Sequence, residues 1–301
     1  MNNTRTLTNS IPIYIPTFNN PTYLLNFIKQ LEKNDAKNII VIDNNSTYPP
    51  MKECLSIIEE KYKVVRLDQN FGPHYILRNK QFYQSLPELF CLSDPDLEFS
   101  SSIPVDFINE LKTISEAYKV GKVGLALEIP SSEDLMHSDL FLDGQKVGAV
   151  EYEQQFWANN IGKNQTGDDL YRTTLDTTFA LYNKTYFDPE DRYTAIRVAG
   201  KFTAKHLGSL SNSIVPKSES SYYKSLTRYS YFGGNLDSEG QPCFEISVLE
   251  YTKMVEHIQS LEACIIDLDY KIQVQNISIQ SIFKSKRWKL VSFVLRIFGR
   301  N

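Results

Sequence analysis

Asp94 and Asp96, with Pro95 between them, end the short apolar run Leu89-Phe90-Cys91-Leu92. A run of that length has the pattern of a buried strand. In an open α/β sheet, ligands gather at the carboxyl ends of the strands. Two acids placed there can hold a hard divalent cation through oxygen, and Mg²⁺ is usually shared between one or two carboxylates and substrate phosphates. The same tripeptide also suits an Asp-Pro turn that closes a strand and leaves two solvated acids. The choice between these readings depends on the elements that bring other residues to the same place.

Three earlier runs end in comparable polar clusters. Ile11-Pro12-Ile13-Tyr14-Ile15 runs into Pro16-Thr17, and Ile39-Ile40-Val41-Ile42 into Asp43-Asn44-Asn45-Ser46. Residues 63–67 lead to Gln69-Asn70-Phe71-Gly72-Pro73. Helical patterns separate them. Pro21 suits a first helical turn with Asn20 as its cap, and Leu24, Leu25, Phe27, Ile28 and Leu31 supply an apolar face. Residues 51–62 and 75–84 read as two more helices, and residues 120–126 as a later strand. This alternation predicts an α/β chain with a mostly parallel sheet and crossover helices. Parallel strands would place all four polar ends on one rim, which makes a ligand site the better reading. No GxGxxG turn and no GxxxxGK[ST] loop occurs, which speaks against a dinucleotide-binding turn and a P-loop.

In order and spacing, Pro16-Thr17, Val41-Ile42-Asp43-Asn44-Asn45-Ser46, Asn70-Phe71-Gly72 and Asp94-Pro95-Asp96 resemble the nucleotide-sugar domain of GT-A glycosyltransferases, family 2 above all. The resemblance covers residues 10–210. It implies a GT-A (nucleotide-diphospho-sugar transferase) fold and a UDP- or dTDP-linked sugar donor. It implies that Asp43 binds the base and that Pro16 and Thr17 line the nucleotide pocket, with Asn45, Asn70 and Gly72 beside them. Arg78 falls where the family has a basic nucleotide contact, although a solvated helix arginine fits equally well. Asp94 is implied at the ribose or metal, and Asp96 at a divalent cation, Mn²⁺ or Mg²⁺. His206 matches a histidine that holds the metal or touches the diphosphate; a neutral imidazole can be a ligand, and a lone histidine can also be a polar packing residue. Arg197 or Lys205 could instead stabilise the leaving diphosphate.

Inverting transfer needs a carboxylate to take the acceptor hydroxyl proton. The family draws it from a second acidic motif. Asp176, at the start of the strand-like run 175–182, matches by position, although the usual Glu-Asp pair is absent. Asp168 and Asp169 are competitors, and a structural Asp at a strand end is the alternative. Residues 131–169 are polar, aromatic and aperiodic, as acceptor-binding loops often are, and also as surface excursions are. Residues 212–235, rich in Ser and Tyr, suit a flap that closes over the donor.

The composition allows one large domain with appendages: 301 residues, 42% hydrophobic and 12% aromatic, net charge −4. That charge implies no general attraction to nucleic acid. The four cysteines have no CxxC spacing and fit reduced cytosolic thiols. We divide the chain into a GT-A-like catalytic domain (1–235), a helical coiled-coil segment (236–283) and a basic amphipathic tail (284–301). Tyr251, Met254, Ile258, Leu261, Ile265, Leu268, Ile272, Gln275, Ile279 and Ile282 form a heptad seam, which predicts self-association; an amphipathic helix packed on the catalytic domain is the alternative. The tail carries six cations, no acid and Trp288. It is too short to span a membrane and suits a helix lying on an anionic one. It resembles the tails of many bacterial surface-polysaccharide glycosyltransferases, which implies a lipid-linked acceptor at the cytoplasmic membrane face. A sugar-nucleotide nucleotidyltransferase and a non-enzymatic coiled-coil scaffold are the competing functions.

Overall fold

The computed structural model describes residues 10–135, 139–142, 145–175, 178–189, 191, 194–211, 214–226 and 271–272. By its contacts the chain divides into two units, Met1–Phe244 and Glu245–Asn301, and the elements below belong to the first. Of the coiled-coil segment only the helical residues 271–272 are described, and the basic tail lies outside the described residues.

The sheet starts with β1 (Ile13–Thr17), β2 (Ile39–Asp43), β3 (Lys63–Arg66) and β4 (Leu89–Leu92). Next come β5 (Leu97–Phe99), β6 (Lys122–Leu127), the separate hairpin β7 (Asp139–Leu142) and β8 (Gln145–Gly148), then β9 (Asn160–Lys163), β10 (Asp169–Thr173), β11 (Ala180–Asn183) and β12 (Ala195–His206). Among the described residues, ten strands form one sheet in the order β3-β2-β1-β4-β11-β6-β12-β10-β9, with β5 paired to β12. β3, β2, β1 and β4 are parallel neighbours. β11 then enters antiparallel between β4 and β6, with Leu181 opposite both Cys91 and Val123. The sheet is therefore mixed. Within the apolar run at 175–182, β11 begins at Ala180 and pairs with β4 from Ala180 to Asn183.

Alternation along the strands makes two cores. Ile13 and Ile15 of β1 face one side with Ile39, Val41, Cys91 and Leu125; Tyr14 faces the other with Ile42, Phe90, Leu92 and Tyr182. The first face is covered by α1 (Pro21–Lys33), α2 (Pro49–Glu59) and, after the two short helices α3 (Tyr75–Arg78) and α4 (Lys80–Ser85), by α5 (Phe107–Tyr118). Leu24, Phe27 and Leu31 of α1 and Phe107, Leu111 and Ile114 of α5 insert into it. Ile76, Leu77, Phe82 and Tyr83 of α3 and α4 pack on the second face. Strands buried on both faces read as continuous apolar runs, as these do. Helices α6 (Ala149–Gln154) and α7 (Lys217–Leu226) complete the set.

Two local expectations are corrected. The single helix expected over 75–84 is broken at Asn79, whose extended backbone ends α3 and whose side chain caps α4 by accepting from Phe82 N–H at 2.9 Å. Asn20 makes no side-chain cap on α1. That end is closed from a distance by Glu219 of α7, which accepts from Thr22 N–H at 3.1 Å and from the Thr22 hydroxyl at 2.7 Å.

Candidate functional site

The parallel register delivers the predicted rim. Thr17 pairs with Asp43, and Asp43 with Arg66. Just past the strands, Asn44 N–H donates to Thr17 O at 2.9 Å and Leu67 N–H to Asp43 O at 2.8 Å. Pro16, Thr17 and Asp43 are buried, and the Asp43 carboxylate accepts from Ser46 N–H at 3.1 Å. Asn19, fully buried with a left-handed φ of 53°, ties this loop together. Its Oδ1 accepts from Thr47 and Tyr48 N–H, both at 2.8 Å, and its own N–H donates to Ser46 Oγ at 2.9 Å. Asn45 is exposed and donates to Asp68 O at 3.0 Å, whereas Asn70 accepts from Gly72 N–H at 3.0 Å. Asn45 thus ties the loop after β2 to the loop after β3, and Asn70 shapes its own loop. Gly72 has φ 84°, which favours glycine. Arg78 ends α3 and is exposed. Buried polar atoms are normally partnered, yet Thr17 Oγ1 and Asn19 Nδ2 have no partner among the described residues.

Helix α7 lies against the same loops. Tyr222 donates to Thr47 Oγ1 at 3.0 Å and its ring meets Tyr48 at 4.8 Å, while Tyr223 meets Phe18 at 6.5 Å. The described part of the expected flap is thus a docked helix. Burial pushes the Glu219 carboxyl up, and the two Thr22 donors pull against that shift.

The acidic half is assembled across long stretches of chain. Asp96 precedes β5, whose Leu97 pairs with His206 at the end of β12. Leu207 N–H donates to Asp96 O at 2.7 Å. Asp96 Oδ2 lies 3.4 Å from His206 Nε2, with the two side chains 20% and 13% exposed, so both remain reachable from solvent. A Cβ on Gly208 would lie 2.3 Å from Asp96 Oδ2. Asp94 faces a small cavity with Ser93, Pro73, His74, Lys122 and Thr178. Lys122 is itself buried, donates to Leu175 O and lies 5.4 Å from the Tyr182 ring centre.

A carboxylate and an imidazole beside a cradle that a Cβ would fill suit a borderline-hard divalent ion such as Mn²⁺. Substrate phosphate oxygens would supply the remaining ligands. No group of three His, Cys, Asp or Glu side chains with metal-binding spacing occurs among the described residues.

Other candidates are displaced. Arg197 is buried and paired with Glu153 of α6, donates to Thr174 O at 3.1 Å and stacks over Phe156 at 4.1 Å, so it is not free for a diphosphate. Burial pushes Glu153 up, opposed by the charge and hydrogen bond of Arg197 and then by His206. Lys205, opposite Glu98, is exposed. Asp168 is buried in a turn and accepts from Thr166, Asn164 and Lys201. Asp169 pairs with Lys163 at 2.9 Å. Asp176 lies outside the described residues. Cys54, with its thiol pushed to about 11 by burial, and the fully buried Cys91 are free thiols.

Sequence reasoning missed Asn19, Glu153, Gly208 and Glu219. Asn19 has the local signal of a polar residue just past a strand end, which the neighbouring Asn20, as a helix-cap residue type, masks. The other three have no local signal, since their partners lie far along the chain.

Residues 13–114 match the family model for Glycosyl transferase family 2, a span that contains Asp43, Asp94 and Asp96. The match supports a glycosyltransferase. No curated protein matches the chain. Among solved structures, GalNAc-T7 with UDP, GalNAc and Mn²⁺ is similar at 12% identity over 82% of this chain and 54% of that one, TM-score 0.43. S. aureus TarS is similar at 14% identity over 71% of this chain and 38% of that one, TM-score 0.38. HddC from Yersinia pseudotuberculosis is similar at 11% identity over 71% and 97%, TM-score 0.39. The chain thus spans about half the length of the first and less than half of the second.

Proposed function

We propose that the chain is a metal-dependent, inverting glycosyltransferase of the hexosyltransferase type, which moves a sugar from a UDP- or dTDP-linked donor to a growing, lipid-linked surface glycan. The observation that carries the reading is the rim itself. Within the segment that matches the family model, Thr17 and Asp43 end the parallel strands β1 and β2, Gly72 lies in the loop that follows β3, and Asp94 and Asp96 follow the end of β4.

Asp43, held by Ser46 N–H, offers a carboxylate oxygen to the imide N–H of a pyrimidine base. Pro16 and Thr17 close one side of the base, and Asn45, Asn70, Gly72 and Arg78 flank the nucleotide. Asp94 serves the ribose or the cation, and Asp96 and His206 hold the cation. When bound, that ion neutralises the diphosphate as it leaves. Asp176 accepts the acceptor hydroxyl proton as that oxygen attacks the anomeric carbon. Helix α7 shields the nucleotide end and limits hydrolysis. The segment 251–282 joins copies of the chain, and the tail 284–301 places it on the inner face of an anionic membrane, where a lipid-linked acceptor resides. Among the described residues no helix is long and apolar enough to cross a membrane.

Thermal unfolding with a panel of nucleotide sugars, with and without Mn²⁺, tests the reading. One UDP- or dTDP-sugar should raise Tm in a concentration-dependent way, EDTA should abolish the shift, and turnover should release a nucleoside diphosphate. Pyrophosphate release would move the chain to the nucleotidyltransferases. No response to any donor would leave only the scaffold.

A further inference from the structure

Gly208 follows His206 in a short 3-10 turn, Leu207–Ser209. Its backbone is not left-handed, unlike that of Gly72, Gly162, Gly167 and Gly200. Conformation therefore does not explain a glycine here. Space does. A Cβ would stand 2.3 Å from Asp96 Oδ2, 3.4 Å from Asp96 Cγ and 3.4 Å from His206 Cε1. The turn is poorly placed to yield. Leu207 N–H is bound to Asp96 O at 2.7 Å, the Ser209 hydroxyl to His206 O at 2.7 Å, and Leu207 O accepts from the Tyr23 hydroxyl at 3.3 Å. On the other side, Gln30 of α1 clamps the strand after Asp96, donating to Leu97 O at 2.9 Å and accepting from Phe99 N–H at 2.8 Å. With both backbones tied, the cheapest relief of a clash is rotation of the Asp96 carboxylate away from His206.

We infer that Gly208 is a positioning residue for the cation site: the missing side chain lets Asp96 present its carboxylate beside His206. The inference rests on the metal reading above. Replacing Gly208 by alanine acts on the direction of one carboxylate and spares the fold, because the displaced atom is the end of a side chain.

The test is Mn²⁺ binding to the full chain, with and without UDP, read by electron paramagnetic resonance of the free ion. Gly208→Ala should weaken Mn²⁺ about 10- to 100-fold, the usual loss when a group that orients a ligand is changed, with Tm close to wild type. Adding Gly208→Ala to Asp96→Asn should weaken Mn²⁺ no further than Asp96→Asn alone, since residues in contact are not additive. Wild-type affinity in Gly208→Ala, or a loss that adds fully to that of Asp96→Asn, overturns the inference. A fallen Tm with unchanged affinity does the same. If Gly208→Ala unfolds, the double variant Asp96→Ala/Gly208→Ala decides. Recovery to the Tm of Asp96→Ala supports the contact, and no recovery overturns it. Wild-type protein that binds no Mn²⁺ in either condition strikes the metal reading itself and takes the inference with it.

Discussion

Asp168 shows how a single acid is turned from chemistry to structure. Burial pushes its pKa up, but donors from Lys201 N–H, the Thr166 hydroxyl and the Asn164 amide outweigh that and hold it below the usual aspartate value. Gly200, at φ 62°, leaves the room, since a Cβ there would lie 2.4 Å from Asp168 Oδ1. A depressed acid stabilises the fold above its unfolded pKa, roughly 3.9, and that contribution drains away as pH falls through the lower folded value. Asp168→Ala should therefore cost about 1–3 kcal/mol at neutral pH, from donors left unsatisfied. The gap to wild type should narrow below about pH 4. Denaturant unfolding at pH 7 and pH 2.5 measures it, and an equal gap at both would remove the carboxylate from the explanation. At the same scale the acid pair from which the site was first read is divided. Asp96 meets His206, whereas Asp94 turns to the cavity with His74 and Lys122.

At the scale of elements, α7 is tied to α1 by a buried carboxylate. Glu219 stands in for the absent Asn20 cap and satisfies the Thr22 donor, one of the amides an α-helix start leaves free. Burial nevertheless raises its pKa. An acid raised on folding costs nothing below its unfolded value, about 4.3. The penalty grows as pH climbs through the folded value. Glu219→Gln keeps an acceptor for Thr22 N–H and a donor for its hydroxyl but carries no charge. It should match wild type in Tm near pH 4 and exceed it at pH 7. A lower Tm at pH 7 would show that the charge at the helix terminus stabilises more than burial costs. α7 also sets Tyr222 and Tyr223 on the loops at Phe18 and Thr47, so the Glu219 tie holds those contacts as well as the start of α1.

For the molecule as a whole, the proposed chemistry needs an acceptor brought to the rim. On the reading proposed above, the six cations without an acid between residues 284 and 301 would bring it there, at about 1 kcal/mol per Lys or Arg near an anionic surface. A chain ending at residue 283 should lose co-sedimentation with phosphatidylserine vesicles at physiological salt and keep its nucleotide-dependent Tm shift. Equal vesicle binding by both forms would assign the tail to another partner.

Much of this was legible in one dimension. Apolar runs of strand length with helical patterns between them produced β1 to β4 and their covering helices, because the two-residue and 3.6-residue periods are local properties of the chain. Polar residues at the ends of those runs marked the rim, since a parallel sheet must align its carboxyl ends. What required the tertiary structure lies between distant residues. β11 is antiparallel because it fills the gap between β4 and β6. Arg197 is withdrawn from the site because Glu153 shares its burial. Asp96 and His206 meet because β5 pairs with the end of β12, and Gly208 matters only through that meeting. Local periodicity determined which elements form and where their polar ends lie. Which side chains share a site was decided by the packing, because a contact between distant segments leaves no repeat in the sequence.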